Sequence, residues 1–281
     1  MSDTTFIAAL AQIDIHIGCP ERNLAHMIDH TRQAASNDAR LVVFPECALP
    51  GYCFESLEEA RAFAEPVPGP STARIAELCR DLGVHVIYGL LEADGPRAYN
   101  ACALVGPGGL VGSYRKVHLP HLGVDRFTTP GDRPFQVFDI GIAKVGMHIC
   151  YDGSFPEAAR CMALEGADLL ALPTNWPPGS ECTAAYVINS RALENNVYFL
   201  AVNRVGTERG FRFIGCSKAC GPDGSPVAEA AHEREAILYA EIDVALARRK
   251  RLVRVPGKHV IDRFKDRRPE LYGRIVARGT E

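Results

Sequence analysis

The chain has 281 residues, with 31 Lys and Arg against 34 Asp and Glu, a formal net charge of −3 at pH 7, ten cysteines, and 47% hydrophobic against 23% charged residues. So balanced a charge excludes a nucleic-acid surface, which needs a concentrated positive stripe, and the one basic run, Arg248-Arg249-Lys250-Arg251, reads as a solvated stretch. No window reaches the ~18 consecutive apolar residues of a bilayer span, and Met1-Ser2-Asp3-Thr4-Thr5 lacks the basic region and apolar core of a secretory signal, so a cytoplasmic address without membrane contact is expected.

Phe6 to Ile13 reads as a buried strand, Arg22 to Ala35 as an amphipathic helix, and Leu41 to Phe44 as a short β-branched run that ends at Pro45. Ser71 to Leu82 has helical spacing behind a Pro-Gly-Pro entry, and Val84 to Leu91 is strand-like. Tyr99 to Val105 and Leu110 to Arg115 flank Gly106-Pro107-Gly108-Gly109 and predict a hairpin; with Val at 111 the glycines fail the dinucleotide-binding pattern. Further on, an apolar strand ends at Cys150 and a helix begins around Phe155-Pro156.

The chain also matches itself. Ala39 to Pro45 corresponds to Ala167 to Pro173, Val84 to Tyr88 to Val197 to Ala201, and the turn Gly106 to Gly109 to Gly221 to Gly224, at offsets of 128, 113 and 115 residues. Two α/β halves with helices over each sheet predict a four-layer α-β-β-α sandwich of two pseudo-repeated halves. With no Pro/Gly/Ser-rich linker between them, residues 1–281 read as a single domain. From about Arg248 the chain is charged and carries Arg268-Pro-Glu-Leu-Tyr272, the pattern of a C-terminal arm lying over a neighbour.

A chain of this length buries roughly three quarters of its unfolded surface and needs no disulfide staples. Its cysteines must therefore be core residues, metal ligands or a nucleophile. The closest pairs, Cys216-x3-Cys220 and Cys47-x5-Cys53, have no second pair at matching distance, so no metal is expected. Cys150 differs from the rest, because strand, tight turn and helix make a nucleophile elbow that lifts its side chain from the sheet while the N–H groups after it, beginning with Tyr151, face a developing oxyanion. Pro156 suits the first helical position and Glu157 the positive end of the helix dipole.

A free thiol of pKa about 8.5 is mostly protonated at neutral pH and needs a base or a nearby cation. Glu46, in Phe44-Pro45-Glu46 past an apolar strand, fits a desolvated base, and also a solvated turn residue. Lys116, in Tyr114-Arg115-Lys116-Val117-His118-Leu119, could supply the cation, and by itself also fits an ordinary surface lysine. His148 shares the strand face of Cys150, either as a competing base or as a core histidine; His118 and His121 are loop candidates.

Glu46, Lys116 and Cys150 in Cys-Tyr-Asp-x-x-Phe-Pro-Glu resemble the Glu-Lys-Cys signature of the nitrilase superfamily of carbon–nitrogen hydrolases, and the similarity extends from Ala8-Ala-Leu-Ala-Gln12 through Pro173-Thr-Asn175-Trp176, Arg191-Ala-Leu-Glu-Asn195 and Asn203-Arg204-Val205-Gly206 to Arg268-Pro-Glu-Leu-Tyr272. The resemblance implies the four-layer sandwich, pairing into homodimers or larger homo-oligomers, and no cofactor. It implies Glu46 as general base, Lys116 and the Tyr151 N–H as oxyanion hole, and Cys150 as the thioester-forming nucleophile. Many relatives carry a second glutamate in the loop after the lysine. Here the segment His118 to Asp132 has none, and Asp125 is the nearest carboxylate.

Cys150-Tyr151-Asp152 resembles the amidase branches more than the nitrile branch, which typically has Cys-Trp-Glu. Ser154 stands where relatives often place a charge, and a hydroxyl discriminates weakly between ionic substrate ends. A small carboxamide with a neutral distal end is the expected substrate, with Tyr52, Phe54, Phe127, Ser154, Asn175, Trp176 and Tyr186 as candidate pocket residues. N-carbamoyl amines or amino acids, then nitriles, are the alternative substrates; a non-catalytic assembly protein is the reading from another class.

Overall fold

The computed structural model describes residues 4–230 and 233–277. The first half runs β1 (Thr5–Gln12), α1 (Pro20–Ala35), β2 (Ala39–Val43), a short α2 (Leu57–Arg61), α3 (Pro70–Leu82), β3 (His85–Asp94), β4 (Arg97–Gly106) and β5 (Gly109–Arg115). The second runs β6 (Val137–Asp139), β7 (Lys144–Met147), α4 (Pro156–Leu164), β8 (Leu169–Thr174), α5 (Ile188–Asn195) and β9 (Tyr198–Asn203). A small pair, β10 (Thr207–Glu208) and β11 (Phe211–Arg212), precedes β12 (Lys218–Cys220), β13 (Pro226–Glu229), β14 (Ala236–Asp243) and α6 (Val244–Arg248). A largely exposed hairpin of β15 (Arg251–Val255) and β16 (His259–Asp262) follows.

Two six-stranded sheets form, in the orders β14-β1-β2-β3-β4-β5 and β13-β12-β9-β8-β7-β6. Each has a parallel trio, β1-β2-β3 or β7-β8-β9, with one antiparallel strand on one side and two on the other. The topologies superimpose with β2 on β8, β3 on β9, and the β4–β5 turn on the β12–β13 turn. Those are the three segments that the internal matches pair, so the duplication read from the sequence is the symmetry of the fold. The halves also interlock, since β14, from the end of the second half, pairs along all of β1 from Thr5↔Asp243 to Gln12↔Ala236.

Side-chain alternation along the strands builds the layers. On β1, Ala8 and Leu10 face a core shared with Met147, Leu170, Leu172 and Phe199 of the second sheet. Ala9 and Ala11 face the opposite way, onto Leu24 and Met27 of α1 and Ile75 and Cys79 of α3. α1 begins with Pro20 and Glu21 and ends with Arg32 in its last turn, matching the helix dipole at both ends. α3 stops at Gly83, whose φ of 67° makes a left-handed cap.

One boundary differs from the sequence reading. β7 ends at Met147, three residues before Cys150; the last link to β8 is the His148 N–H to the Ala171 carbonyl at 3.2 Å. Cys150 has φ 46° and opens a 3-10 turn to Ser154, a conformation that cannot continue a ladder.

Strand β3 also forms the seat of the loop after β2. Phe44 N–H donates to the Ile87 carbonyl, Gly89 N–H to Pro45, and Leu49 N–H to Gly89. A Cβ on Gly89 would lie 2.2 Å from the Cys47 nitrogen and 2.7 Å from Glu46 Cα. Gly89→Ala is therefore expected to displace Glu46 and lower stability by about 1–3 kcal/mol, read by urea unfolding. Unchanged stability would show that the seat is more compliant than this contact implies.

Candidate active site

Four loops at the ends of strands meet beside the two sheets. The loop after β2 carries Glu46, fully buried, next to Cys47 at φ 48°. β5 runs into Lys116, also fully buried, whose backbone N–H donates to the Asn100 carbonyl at 2.8 Å. The segment beyond it makes a 3-10 turn, Gly123–Arg126, that brings Asp125 inward.

These side chains form one hydrogen-bonded cluster. Lys116 Nζ lies 2.7 Å from Glu46 Oε1 and 2.5 Å from Asp125 Oδ2. Asn100 Nδ2 joins the same carboxylates, at 2.7 Å from Glu46 Oε1 and 2.8 Å from Asp125 Oδ1. The Tyr52 hydroxyl donates to Asp125 Oδ2 at 2.8 Å. Thus Asp125, one methylene shorter than glutamate, does reach the lysine. Gly123 allows this approach: its φ is 48°, and a Cβ there would sit 2.3 Å from the Tyr52 ring. Glu46 Oε2 has no hydrogen-bond partner among the described residues.

Charge follows from burial. Burial disfavours the Glu46 carboxylate and raises its pKa, Lys116 opposes the rise, and Asp125 adds to it. Burial alone would lower the Lys116 pKa, but Glu46 and Asp125 outweigh it, so the ammonium is held well above its ordinary value. Cys150 feels both: burial first and then Glu46 push its thiol up to about 12, against the pull of Lys116, the Thr174 side chain and the Asn175 backbone. The resting thiol is therefore protonated, and a base must remove its proton.

Asp152 ties the elbow to the lysine strand. Its Oδ2 accepts from the Ile149 N–H at 3.0 Å and the Tyr114 hydroxyl at 2.8 Å. Its Oδ1 accepts from the His118 N–H at 2.9 Å and lies 2.7 Å from His118 Nδ1. Burial would raise the Asp152 pKa, but the His118 side chain and the Ile149 and His118 N–H groups, together with Lys116, lower it. Tyr114 and His118 flank Lys116, so a single carboxylate sets the distance between lysine and cysteine. His118 is engaged here, its ring stacked 3.7 Å from that of Phe155. His148 is fully buried against Phe199, with its pKa lowered to about 4 by burial, and fits the core-histidine reading.

A second buried network supports Tyr52. Glu208 Oε2 accepts the Tyr52 and Cys53 N–H groups, both at 2.9 Å, and its other oxygen pairs with the fully buried Arg204. Arg204 also reaches the Ile15 carbonyl at 2.6 Å and Asp14 Oδ1 at 3.0 Å.

The remaining predicted residues divide. Asn175 is fully buried at the end of β8, with neither side-chain polar atom partnered among the described residues. Tyr151, 40% exposed, and the exposed Ser154 lie on the elbow turn, where Arg191 donates to the Gly153 and Ser154 carbonyls. Trp176 belongs to the inter-sheet core, its N–H donating to Asn203 Oδ1 at 2.8 Å. Phe54 is wholly enclosed, stacked on Phe63 in a satellite core that also contains Tyr52. Phe127 is half-buried beneath the Arg126 guanidinium, and Tyr186 is 70% exposed on a π-helical turn away from the cluster's hydrogen bonds. Sequence reasoning missed Asn100, whose only signal was a lone amide in an apolar strand, and the clamping role of Asp152.

A family model described as carbon–nitrogen hydrolase matches residues 7–252. A nitrilase of Pyrococcus abyssi is 40% identical over 267 residues, covering 95% of this chain and 98% of its own. An N-carbamoylputrescine amidase of Solanum lycopersicum is 35% identical, over 86% of this chain and 85% of its own. Among solved structures, an amidase variant from Nesterenkonia sp. AN1, with the acetamide moiety of fluoroacetamide added covalently at its active-site cysteine, aligns with a TM-score of 0.81 and 25% identity, over 98% of this chain and 99% of its own.

The clamp gives a pH-dependent prediction. Asp152→Ala leaves the Ile149 and His118 N–H groups and the Tyr114 hydroxyl without their acceptor, an expected loss of at least about 2 kcal/mol near neutral pH. Because the folded carboxyl titrates below its unfolded value of about 3.9, its stabilisation is complete above that pH and is lost as pH falls through the folded value. In urea titrations, the gap between wild type and Asp152→Asn should narrow on acidification from about pH 6 to about pH 3; a constant gap contradicts the assignment.

Proposed function

Because this chain belongs to the carbon–nitrogen hydrolase family, the nitrilase superfamily, we propose that it converts a small linear carboxamide to a carboxylic acid and ammonia through a thioester on Cys150. One observation carries the reading. Glu46 commits Oε1 to Lys116 and Asn100, while Oε2 remains unpartnered in a buried site that also raises the thiol of Cys150. A carboxylate with a raised pKa beside a protonated thiol is the pair that general-base activation requires.

In this mechanism Glu46 Oε2 takes the Sγ proton as sulfur attacks the amide carbon. The oxyanion forms against the Lys116 ammonium and the Tyr151 N–H, whose charges and dipoles are already in place and need no reorganisation. Collapse of the intermediate breaks the C–N bond; Glu46 returns the proton to the leaving nitrogen, and ammonia departs. Water then enters, gives its proton to Glu46 and attacks the thioester, after which the acid leaves and the thiol recovers its proton. Asp125, Asn100 and Tyr52 act by holding Lys116 and Glu46. Every step is carried by a side chain or backbone group of the protein.

Two features favour an amide among the family's substrates. The Asn175 side chain offers a buried donor and acceptor at the strand end beside Cys150, complementary to the C=O and N–H of a carboxamide. Ser154 itself carries no charge, and the Arg191 guanidinium behind it is committed to the Gly153 and Ser154 carbonyls and to Glu194, which suits a neutral distal end. The same reading takes residues 1–281 as one catalytic domain that assembles as a homo-oligomer through the arm from about 248.

Cys150→Ala should abolish ammonia release while leaving the circular dichroism spectrum unchanged, and acid-quenched wild type should carry an acyl adduct on Cys150, detectable by mass spectrometry after exposure to an amide, nitrile and carbamoyl mixture, that Glu46→Gln forms at least about a hundredfold more slowly. Retained turnover in the alanine variant would refute the thioester route. Release of carbon dioxide with ammonia would assign the carbamoyl alternative instead. In a substrate panel, neutral amides should lead; a charged-end amide exceeding them all by more than about tenfold in kcat/KM would overturn the Ser154 argument.

A further inference from the structure

On the outer face of the first sheet, α1 presents His26 and His30. The two are one helical turn apart and so share a face. Their ring centroids lie 4.3 Å apart at 84°. Glu235, immediately before β14, faces them, with His26 Nε2 3.6 Å from Glu235 Oε1. One ligand-type atom from each of the three residues lies within 4.8 Å of the other two.

His30 and Glu235 are also oriented. His30 Nδ1 is 3.0 Å from the His26 backbone carbonyl. A carbonyl only accepts, so Nδ1 carries the hydrogen and Nε2 keeps its lone pair. This is the arrangement by which metal-binding imidazoles are commonly fixed in tautomer and direction. Glu235 is held on its approach: its Oε1 accepts the Asp14 N–H at 2.8 Å, and Gln12 Nε2 donates to the neighbouring Arg234 carbonyl at 2.9 Å.

We infer that His26, His30 and Glu235 form a binding site for a divalent transition-metal ion of the zinc class. Two imidazoles and one carboxylate are the donors of that class, whereas calcium and magnesium take oxygen donors. Metal–ligand distances of about 2.0–2.2 Å in tetrahedral geometry place ligand atoms about 3.3 Å apart, so the 3.6 Å pair is nearly in place and small rotations of the rings close the rest. Side-chain exposures of 30% for His26 and 44% for Glu235 leave room for water to complete the coordination. Bound metal would pin α1 to the strand pair β1–β14 and so join the first half of the chain to the last strand of the sheet. Cysteine spacing could not reveal this site, because Glu235 lies 205 residues beyond His30 and none of the three ligands is a thiol.

Titration of zinc chloride into chelator-stripped protein, followed by calorimetry, tests the site. About one ion per chain is expected to bind at it, with affinity at least about tenfold weaker in His30→Ala and in Glu235→Gln. The glutamine keeps an acceptor for the Asp14 N–H, so its loss of binding would not reflect a lost fold; circular dichroism checks both variants. The exposed Cys19, Cys161 and Cys182 could also take zinc. Cobalt(II) therefore serves as a second probe, expected to give a spectrum without a thiolate charge-transfer band and to lose it in the two variants. Zinc should also raise the melting temperature of the wild type but not of His30→Ala. Equal affinity in wild type and variants, or a cobalt spectrum dominated by thiolate, would overturn the inference.

Discussion

The interaction on which the site depends is the Lys116 ammonium held between two carboxylates where water does not reach. Lys116 and Glu46 have no exposed side-chain surface, and neither does the side chain of Asp125. A charge so placed tolerates no missing partner, since removing one member of a buried ion pair commonly costs about 3–5 kcal/mol. The arrangement therefore constrains several loops at once: the turn after β2, the end of β5, the 3-10 turn around Asp125 and the strand carrying Asn100. Two carboxylates around one cation also leave an excess of negative charge, which keeps Glu46 basic and the nearby thiol protonated.

Around this centre the duplicated architecture divides the work. The first sheet supplies the Glu46 carboxylate after β2, the amide of Asn100 from β4 and the lysine after β5. The second supplies the elbow after β7 and the Thr174-Asn175 end of β8. In the internal alignment Thr174 is the counterpart of Glu46, so equivalent strand ends have taken on different chemistry in the two halves. Bonds across the halves then hold the pieces in register. Asp152 grips both sides of Lys116, and Arg204 with Glu208 ties the strand end at Ile15 to the backbone of Tyr52.

Much of this was legible in the residues. Apolar periodicity located α1 and α3 to within one or two residues, α3 being read from Ser71 and observed from Pro70, whereas the short α2 and α6 went unread. Strand ends that break into Glu, Lys and Cys were visible because each interrupts an apolar run with a reactive group. Asn100 was harder, because an amide in a strand has no local pattern that separates a core polar residue from a catalytic support. Phe54 and Tyr186 show the limit for aromatics: one is enclosed and the other exposed, and local sequence carries no record of which neighbours cover a ring. The reach of Asp125 depended on the positive φ of Gly123, which a glycine permits but does not announce.

The sequence by itself determined the duplicated α/β pattern, the elbow at Cys150 and the membership of Glu46, Lys116 and Cys150 in one signature, because periodicity and turn chemistry are local properties. Only the tertiary structure decided which oxygen of Glu46 stays unpartnered, that Asp125 shares the lysine, and that His26 and His30 meet Glu235. Those facts depend on which strand lies beside which and how far each side chain is shielded from water. Burial, summed over segments distant in sequence, is what turns a lysine between two strand ends into the fixed charge of a site.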